Sequence, residues 1–396
     1  MASSPKSPPK TPAEIEADLI GPAAYLIHSK AQMRYLDWLS SFLGHRNPFV
    51  HNVDKDDMVW LFDNTAYRNQ VGEWEAQYVA AFFRKGSGKD LSDAVADLAE
   101  KLGLGEGDEA ENTIAARLRP FADVIEPAKT VSVRIGQAGE FQLGPSGPNG
   151  VSSDKHTLPG SGYIDGKAVH PVAILQKDDP RQLKMTTHIA EPQGWAIVSD
   201  IDDTIKITMT SDGMGILKST FVDDPKPVPG MPDLYRLIDS ALSPTWFYLS
   251  ASPYNLYPFL HDFRKEYYPS GTMILRDSSW MNIGGFISSL TVNTQEYKED
   301  RLGRIYGWLP KRKCLMIGDS TQKDPEAYGT LARKHPGWIK GIFIHIVTGV
   351  DEEREKWLNS PERLASAFKG IDPAEVILKS FHDPAELNDV IATLKD

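Results

Sequence analysis

From residue 12 to about residue 120, hydrophobic and polar positions alternate with helical spacing. Tyr25, Ser29, Gln32, Leu36, Leu39 and Leu43 keep that spacing in one run, and Trp74, Tyr78 and Phe82 in another. Thr11-Pro12-Ala13-Glu14 reads as a capping box with proline at the first helical position, and Asp90-Leu91-Ser92-Asp93 opens a helix that stops near Gly103. The pattern predicts a helical region over residues 12–125. Between Lys129 and about Ala190 the period shortens to two. Val131, Val133 and Ile135 alternate with polar residues, and Val169, Val172, Ile174 and Leu175 mark a further strand among glycine and proline turns. A small antiparallel, β-sandwich-like module is expected over residues 126–192.

Beyond residue 193, short continuous apolar runs alternate with helical patterns. Strands are expected at Ala196–Ser199, Trp246–Leu249, Met273–Leu275, Leu315–Ile317 and Ile342–Val347. Helices are expected at Pro232–Ser240, Asn255–Tyr267, Glu299–Trp308 and Glu352–Leu358. This order predicts an α/β fold, a doubly wound parallel sheet over residues 193–396.

The chemistry gathers at the ends of the predicted strands. Trp195-Ala196-Ile197-Val198-Ser199 climbs into Asp200-Ile201-Asp202-Asp203-Thr204. Period-two geometry puts Asp200 and Asp202 on one side of the emerging chain, with Ile201 pointing away. Two acids at the lip of a core strand are poorly explained by packing. They suit an enzyme that uses one carboxylate as nucleophile and the other as proton donor. A second apolar run, Thr245 to Leu249, ends at Ser250. A third, Cys314 to Ile317, runs into Gly318-Asp319-Ser320-Thr321-Gln322-Lys323-Asp324, and Lys298 lies between them.

These motifs, in this order, resemble the haloacid dehalogenase superfamily of phosphotransferases. The wording between them narrows the likeness. Asp200 to Lys206, Leu249-Ser250-Ala251-Ser252-Pro253-Tyr254-Asn255-Leu256-Tyr257, and Ile317 to Ser320 followed by Asp324-Pro325-Glu326-Ala327-Tyr328 resemble the catalytic domain of the fungal actin-patch phosphatidate phosphatase family. The resemblance runs through roughly residues 195–350, and Val59 to Arg68 is similar to the region preceding that domain. It implies Asp200 as nucleophile and Asp202 as acid and base, with Thr204, Ser250 and Lys298 binding phosphate. It also implies a metal held by Asp200, Asp319 and the backbone carbonyl of Asp202, with Asp324 beside it. Asp203 is expected to serve as a turn or capping residue.

A phosphomonoester carries close to two negative charges, and this pocket adds three carboxylates. At 4 Å each like-charge contact costs about 4 kcal/mol at an effective dielectric of 20. A divalent cation with oxygen ligands is required, and Mg²⁺ is the natural choice. The implied reaction is Mg²⁺-dependent hydrolysis of phosphatidate to diacylglycerol and phosphate through an aspartyl-phosphate on Asp200. The alternatives are a cap-less phosphatase for phosphoproteins or soluble esters, and a cortical adaptor with a vestigial site.

Composition narrows the surroundings. The chain has 396 residues, a net charge of −11 and one cysteine, Cys314, inside a predicted core strand. The negative charge argues against nucleic acid and against broad adhesion to anionic membrane. The absence of a long apolar stretch and of a secretory signal predicts a cytoplasmic protein, recruited peripherally to membrane or cortical actin patches. Residues 1–11 are expected to be a disordered tail. There Pro5-Lys6-Ser7-Pro8-Pro9-Lys10 fits the spacing of a ligand for polyproline-binding domains. Residues 205 to about 221 are expected to form a short flap over an open site without a large cap. Its apolar members Ile205, Ile207, Met209, Met214, Ile216 and Leu217 either pack on the domain or touch membrane.

Overall fold

The computed structural model describes residues 40–85, 92–103, 108–276 and 294–394. The proline-rich start, the capping box at Thr11, the run from Tyr25 to Leu39 and the opening residues Asp90 and Leu91 lie outside the described residues.

The expected helical region is, over much of its described length, β-structure. Strands β1 (His51–Asn52), β2 (Asp57–Leu61), β3 (Asn64–Arg68) and β4 (Trp74–Arg84) precede helices α1 (Ser92–Lys101) and α2 (Asp108–Ala122). Trp74, Tyr78 and Phe82 were expected on a helix and lie instead on β4. Positions four apart share a face in a strand as well as in a helix, because four is a multiple of two. Ala76 and Ala80, buried between the three aromatics on the same face, settle the period.

Strands β5 (Val124–Ile125), β6 (Lys129–Ile135), β7 (Gly139–Leu143), β8 (Val151–Thr157), β9 (Ala168–Val169), β10 (Val172–Ile174) and β11 (Thr187–Ala190) complete the N-terminal module. One sheet is built on β6, which pairs with β1, β7 and β10. The other runs β2-β4-β3-β11-β9, with β5 and β8 also paired to β4. The aromatic face of β4 packs on Val131, Val133 and Leu143 of the first sheet. The module therefore begins at the strands near residue 51 rather than at residue 126.

The C-terminal region is an open sheet of six strands: β12 (Trp195–Asp200), β13 (Thr245–Pro253), β14 (Thr272–Arg276), β15 (Lys313–Asp319), β16 (Ile339–His345) and β17 (Ile377–Phe381). All neighbouring pairs are parallel, in the order β14-β13-β12-β15-β16-β17. The strand order reverses between β12 and β15, which is where such folds open a crevice at the carboxyl ends. Both faces are covered. Ile197, Leu315 and Ile317 face one apolar cluster, while Ala196, Val198, Cys314 and Met316 face the other. Strands buried on two sides read as continuous apolar runs, and β17, more exposed and carrying Lys379 and Ser380, does not.

Between β12 and β13 the chain forms a turn, α3 (Gly213–Phe221) and α4 (Met231–Leu242), with no room for a separate cap domain. The expected flap is in good part core: Ile205, Ile216, Leu217 and Phe221 are fully buried, Ile207 and Met209 are half-buried, and Met214 is exposed. The two regions share one apolar cluster, in which Phe62 and Phe83 meet Leu118 of α2 and Tyr254 and Tyr257 of the sheet domain. Polar ties reinforce it. Arg117 Nη1 donates to the Thr220 and Asp223 carbonyls at 3.1 and 2.6 Å, and the Asp63 amide donates to Tyr257 Oη at 3.0 Å.

Because Phe82 is wholly buried in the sandwich, Phe82→Ala is expected to lower stability by about 3–5 kcal/mol. Urea unfolding measures this, and a loss under 1 kcal/mol would remove β4 from the core.

Candidate active site

The reversal of strand order places Asp200, at the end of β12, beside Asp319, at the end of β15. Helix α5 (Tyr257–Tyr267) follows β13, and α6 (Thr294–Trp308) brings Lys298 from its first turns. Helix α7 (Asp324–Lys334) starts at Asp324. Asp200, Asp319 and Asp324 are fully buried and offer carboxylate oxygens within 4.8 Å of one another. Lys298 Nζ donates to Asp200 Oδ1 at 2.7 Å and to Asp324 Oδ1. A single ammonium thus faces three carboxylates.

The imbalance shows in the titration of the cluster. Burial, and then repulsion from Asp324, holds the Asp200 carboxyl well above the usual carboxylate range, although Lys298 opposes the shift. Asp319 is raised for the same reasons. For Lys298, burial favours the neutral amine, but Asp200, Asp324 and Asp319 together outweigh it and hold the ammonium above its ordinary value.

Each loop around the cluster is fixed by its own short-range bonds. Asp203 adopts a left-handed conformation, with φ of 59°. Its carboxylate accepts the amides of Thr208, Met209 and Thr210 at 2.8, 2.8 and 2.6 Å, so it organises the turn after the motif. Asp319 Oδ1 accepts the Thr321 and Gln322 amides at 2.6 and 3.0 Å, and Asp324 Oδ2 accepts the Asp319 amide at 3.1 Å. Gly318 permits this: a Cβ there would lie 2.6 Å from Asp324 Oδ2.

The remaining expected residues occupy distinct places. Thr204 donates to Asp200 Oδ2 at 3.4 Å, and Ser250 donates to Asp202 Oδ2 at 2.6 Å. The Asp202 side chain stands apart from the three-carboxylate cluster, its Oδ1 accepting from Thr208 Oγ1 at 2.9 Å. Its backbone carbonyl accepts from Gln322 Nε2 at 3.1 Å.

Three residues given no role from the sequence belong to the site. Gln322 lies inside the acidic motif and reaches both Asp202 and Asp200. Thr208 has only its closeness to the motif as a signal. Arg363, on α8 (Pro361–Ala367), donates to the Ser320 and Gln322 carbonyls at 2.5 and 2.6 Å and pairs with Glu326 at 2.8 Å, clamping the loop from Asp319 to Asp324. Nothing local to Arg363 in the sequence announces that contact.

The donor set fits a hard divalent cation. It is all oxygen, it is short of positive charge, and Asp319 Oδ2 is buried without a hydrogen-bond partner. Among the described residues this is the one group of three or more potential metal ligands, and neither His170 nor His188 joins it.

The raised carboxyls set a pH dependence. In the folded state Asp200 and Asp319 keep protons to higher pH than in the unfolded chain. Without a cation, stability should therefore fall as pH rises above the ordinary carboxylate range toward their folded-state values. Mg²⁺ at a hundredfold its Kd should add about 2.7 kcal/mol near neutral pH and flatten this decline, and Asp319→Asn should abolish the gain. Urea unfolding in chelator and in Mg²⁺ across pH 5 to 8 measures both. Identical curves would rule out cation binding at the cluster.

Residues 195–346 match the family model for the catalytic domain of phosphatidate phosphatase APP1. The chain is 30% identical over 169 residues to phosphatidate phosphatase APP1 of Saccharomyces cerevisiae, a match covering 42% of this chain and 28% of the yeast protein. It is 28% identical over 163 residues to an uncharacterized protein of Schizosaccharomyces pombe, covering 40% of this chain and 26% of that protein. The matched part thus spans little more than a quarter of either relative. With the parallel sheet and the acidic motifs on its strand ends, residues 195–346 are similar to the catalytic domain of the APP1 phosphatidate phosphatase family.

Proposed function

We propose that this protein is a Mg²⁺-dependent phosphatidate phosphatase that works through an aspartyl-phosphate on Asp200. The observation that carries the reading is the buried Asp200–Asp319–Asp324 cluster with Lys298 at the switch point of the sheet, inside the segment that matches the family's catalytic domain.

In this reading an Asp200 carboxylate oxygen bonds to the phosphorus of phosphatidate while the ester P–O bond breaks. The departing diacylglycerol oxygen takes a proton from Asp202. Water then attacks the phosphorus of the aspartyl-phosphate and gives its proton to Asp202, which releases phosphate and restores Asp200. Lys298 and the Ser250 hydroxyl hold phosphoryl oxygens, with Thr204 steadying the nucleophile from its place beside Asp200. Asp200, Asp319 and the Asp202 carbonyl, with Asp324 beside them, would hold Mg²⁺, which offsets the charge of the phosphoryl group when bound.

The substrate sits at a membrane surface in this reading. No helix among the described residues is long and apolar enough to cross a membrane, so the lipid would be met by peripheral recruitment, to membrane or to cortical actin patches. The N-terminal stretch Pro5 to Lys10 offers a ligand for polyproline-binding domains as one means of recruitment.

Three measurements test the reading. Asp200→Asn is expected to lower kcat/KM at least about 10³-fold. Chelation should stop turnover, and added Mg²⁺ should restore it. Offered phosphatidate in mixed micelles, phosphopeptides and soluble phosphate esters at equal Mg²⁺, the enzyme should prefer phosphatidate by about 10²-fold in kcat/KM. A preference for phosphopeptide or for a soluble ester would reject the lipid assignment, and wild-type turnover in Asp200→Asn would reject the mechanism.

A further inference from the structure

Lys206 lies on the turn just past the motif acids and is 1% exposed. Its Nζ donates to the Ile207 carbonyl at 3.3 Å and to Thr208 Oγ1 at 3.1 Å, and sits 5.6 Å from the centroid of the Phe259 ring. These partners are all neutral. Asp202 and Asp203 attract the ammonium through space, as does Asp223, while Arg117 repels it. Enclosing an ammonium among neutral oxygens and an aromatic ring is costly. The arrangement is therefore unlike a packing solution, for which an apolar side chain of the same length would serve.

Counting hydrogens shows what the ammonium does. Thr208 Oγ1 carries one hydrogen and has two acceptors in reach, Asp202 Oδ1 at 2.9 Å and the Lys206 carbonyl at 3.3 Å. An ammonium only donates, so its N–H occupies a lone pair of Oγ1. The hydroxyl hydrogen is left for the nearer acceptor, Asp202 Oδ1. The other carboxyl oxygen is set in the same way. The Ser252 amide donates to Ser250 Oγ at 2.9 Å, which turns the Ser250 hydroxyl hydrogen toward Asp202 Oδ2 at 2.6 Å.

We propose that Lys206 and Thr208 are positioning residues for Asp202: by donating to Thr208 Oγ1, Lys206 commits the Thr208 hydroxyl to Asp202 Oδ1 and keeps that carboxyl aimed at the leaving oxygen. The inference rests on the reading of Asp202 as proton donor. In that reading Ser250 shares its hydroxyl with the phosphoryl group, whereas Thr208, buried on the turn side, keeps its hold on Asp202 throughout. Lys206 and Thr208 neither give nor take the proton that reaches the product.

Leaving groups separate this role from a purely structural one. An alkoxide needs a proton to depart and 4-nitrophenolate does not, and kcat/KM reports the steps up to departure. The full chain with Mg²⁺ is assayed on 4-nitrophenyl phosphate and on whichever of phosphatidate in mixed micelles and glycerol 3-phosphate the wild type cleaves. The alkyl-to-aryl ratio of kcat/KM is expected to fall about tenfold or more in Lys206→Met and Thr208→Val. Thr208→Ser, which keeps the hydroxyl, should recover most of it. Should Lys206→Met not fold, the near-isosteric pair Thr208→Val and Thr208→Ser decides the question. Equal losses on both ester classes, or Thr208→Ser matching Thr208→Val, would overturn the inference. Asp202→Asn tells the two readings apart. If it lowers the ratio while Thr208→Val does not, the positioning role fails alone. If it leaves the ratio unchanged, the assignment of Asp202 as proton donor fails and the positioning role with it.

Discussion

Three carboxylates enclosed around one ammonium set the terms for everything near them. At about 4 Å and an effective dielectric of 20, each pair of like charges costs on the order of 4 kcal/mol, and Lys298 can neutralise only part of that. The raised Asp200 and Asp319 carboxyls and the unpartnered Asp319 Oδ2 are two signs of the same deficit. Such a cluster is not a stabilising feature of the fold. It persists because the sheet around it is buried on both faces and holds the strand ends in place.

The loops that carry the acids are correspondingly over-determined. Asp203 gathers the amides of the turn after the motif, and Thr210 Oγ1 meets Thr321 Oγ1 at 2.8 Å, joining that turn to the loop that carries Asp319. Arg363 grips the same loop from outside through two backbone carbonyls. Gly318 leaves the space into which Asp324 folds back. A preorganised arrangement of this kind avoids reorganisation when charge develops on a bound phosphoryl group.

The N-terminal module is bound to the sheet domain by more than contact between surfaces. The shared cluster runs from Phe83 through Leu118 to Tyr254, and Thr65 Oγ1 and Thr272 Oγ1 lie 2.6 Å apart where β3 meets β14. Asp63 accepts from Arg264 and from the Thr186 amide, and its Oδ2 lies 3.2 Å from His261 Nε2. Residues of α5 therefore serve both the sheet that presents the site and the sandwich beside it. Loosening the module would expose apolar surface on both.

The sequence by itself determined the parallel sheet and its acidic strand ends, because both are local signals. A strand buried on two faces must be apolar throughout, and an acid at its end marks where it leaves the core, as at Asp200 and Asp319. Period alone could not assign Trp74, Tyr78 and Phe82, since positions four apart satisfy helix and strand alike; pairing of β4 with β2, β3 and β8 decided it. From the sequence, the apolar residues of the segment from Ile205 to about Phe221 either pack on the domain or touch membrane, and only packing in three dimensions showed Leu217 and Phe221 to be core. The hold of Thr208 on Asp202 and of Arg363 on the acidic loop likewise belonged to the tertiary structure. Hydrogen bonds between side chains and distant loops depend on where the backbone brings them, and residue type and spacing carry no record of that.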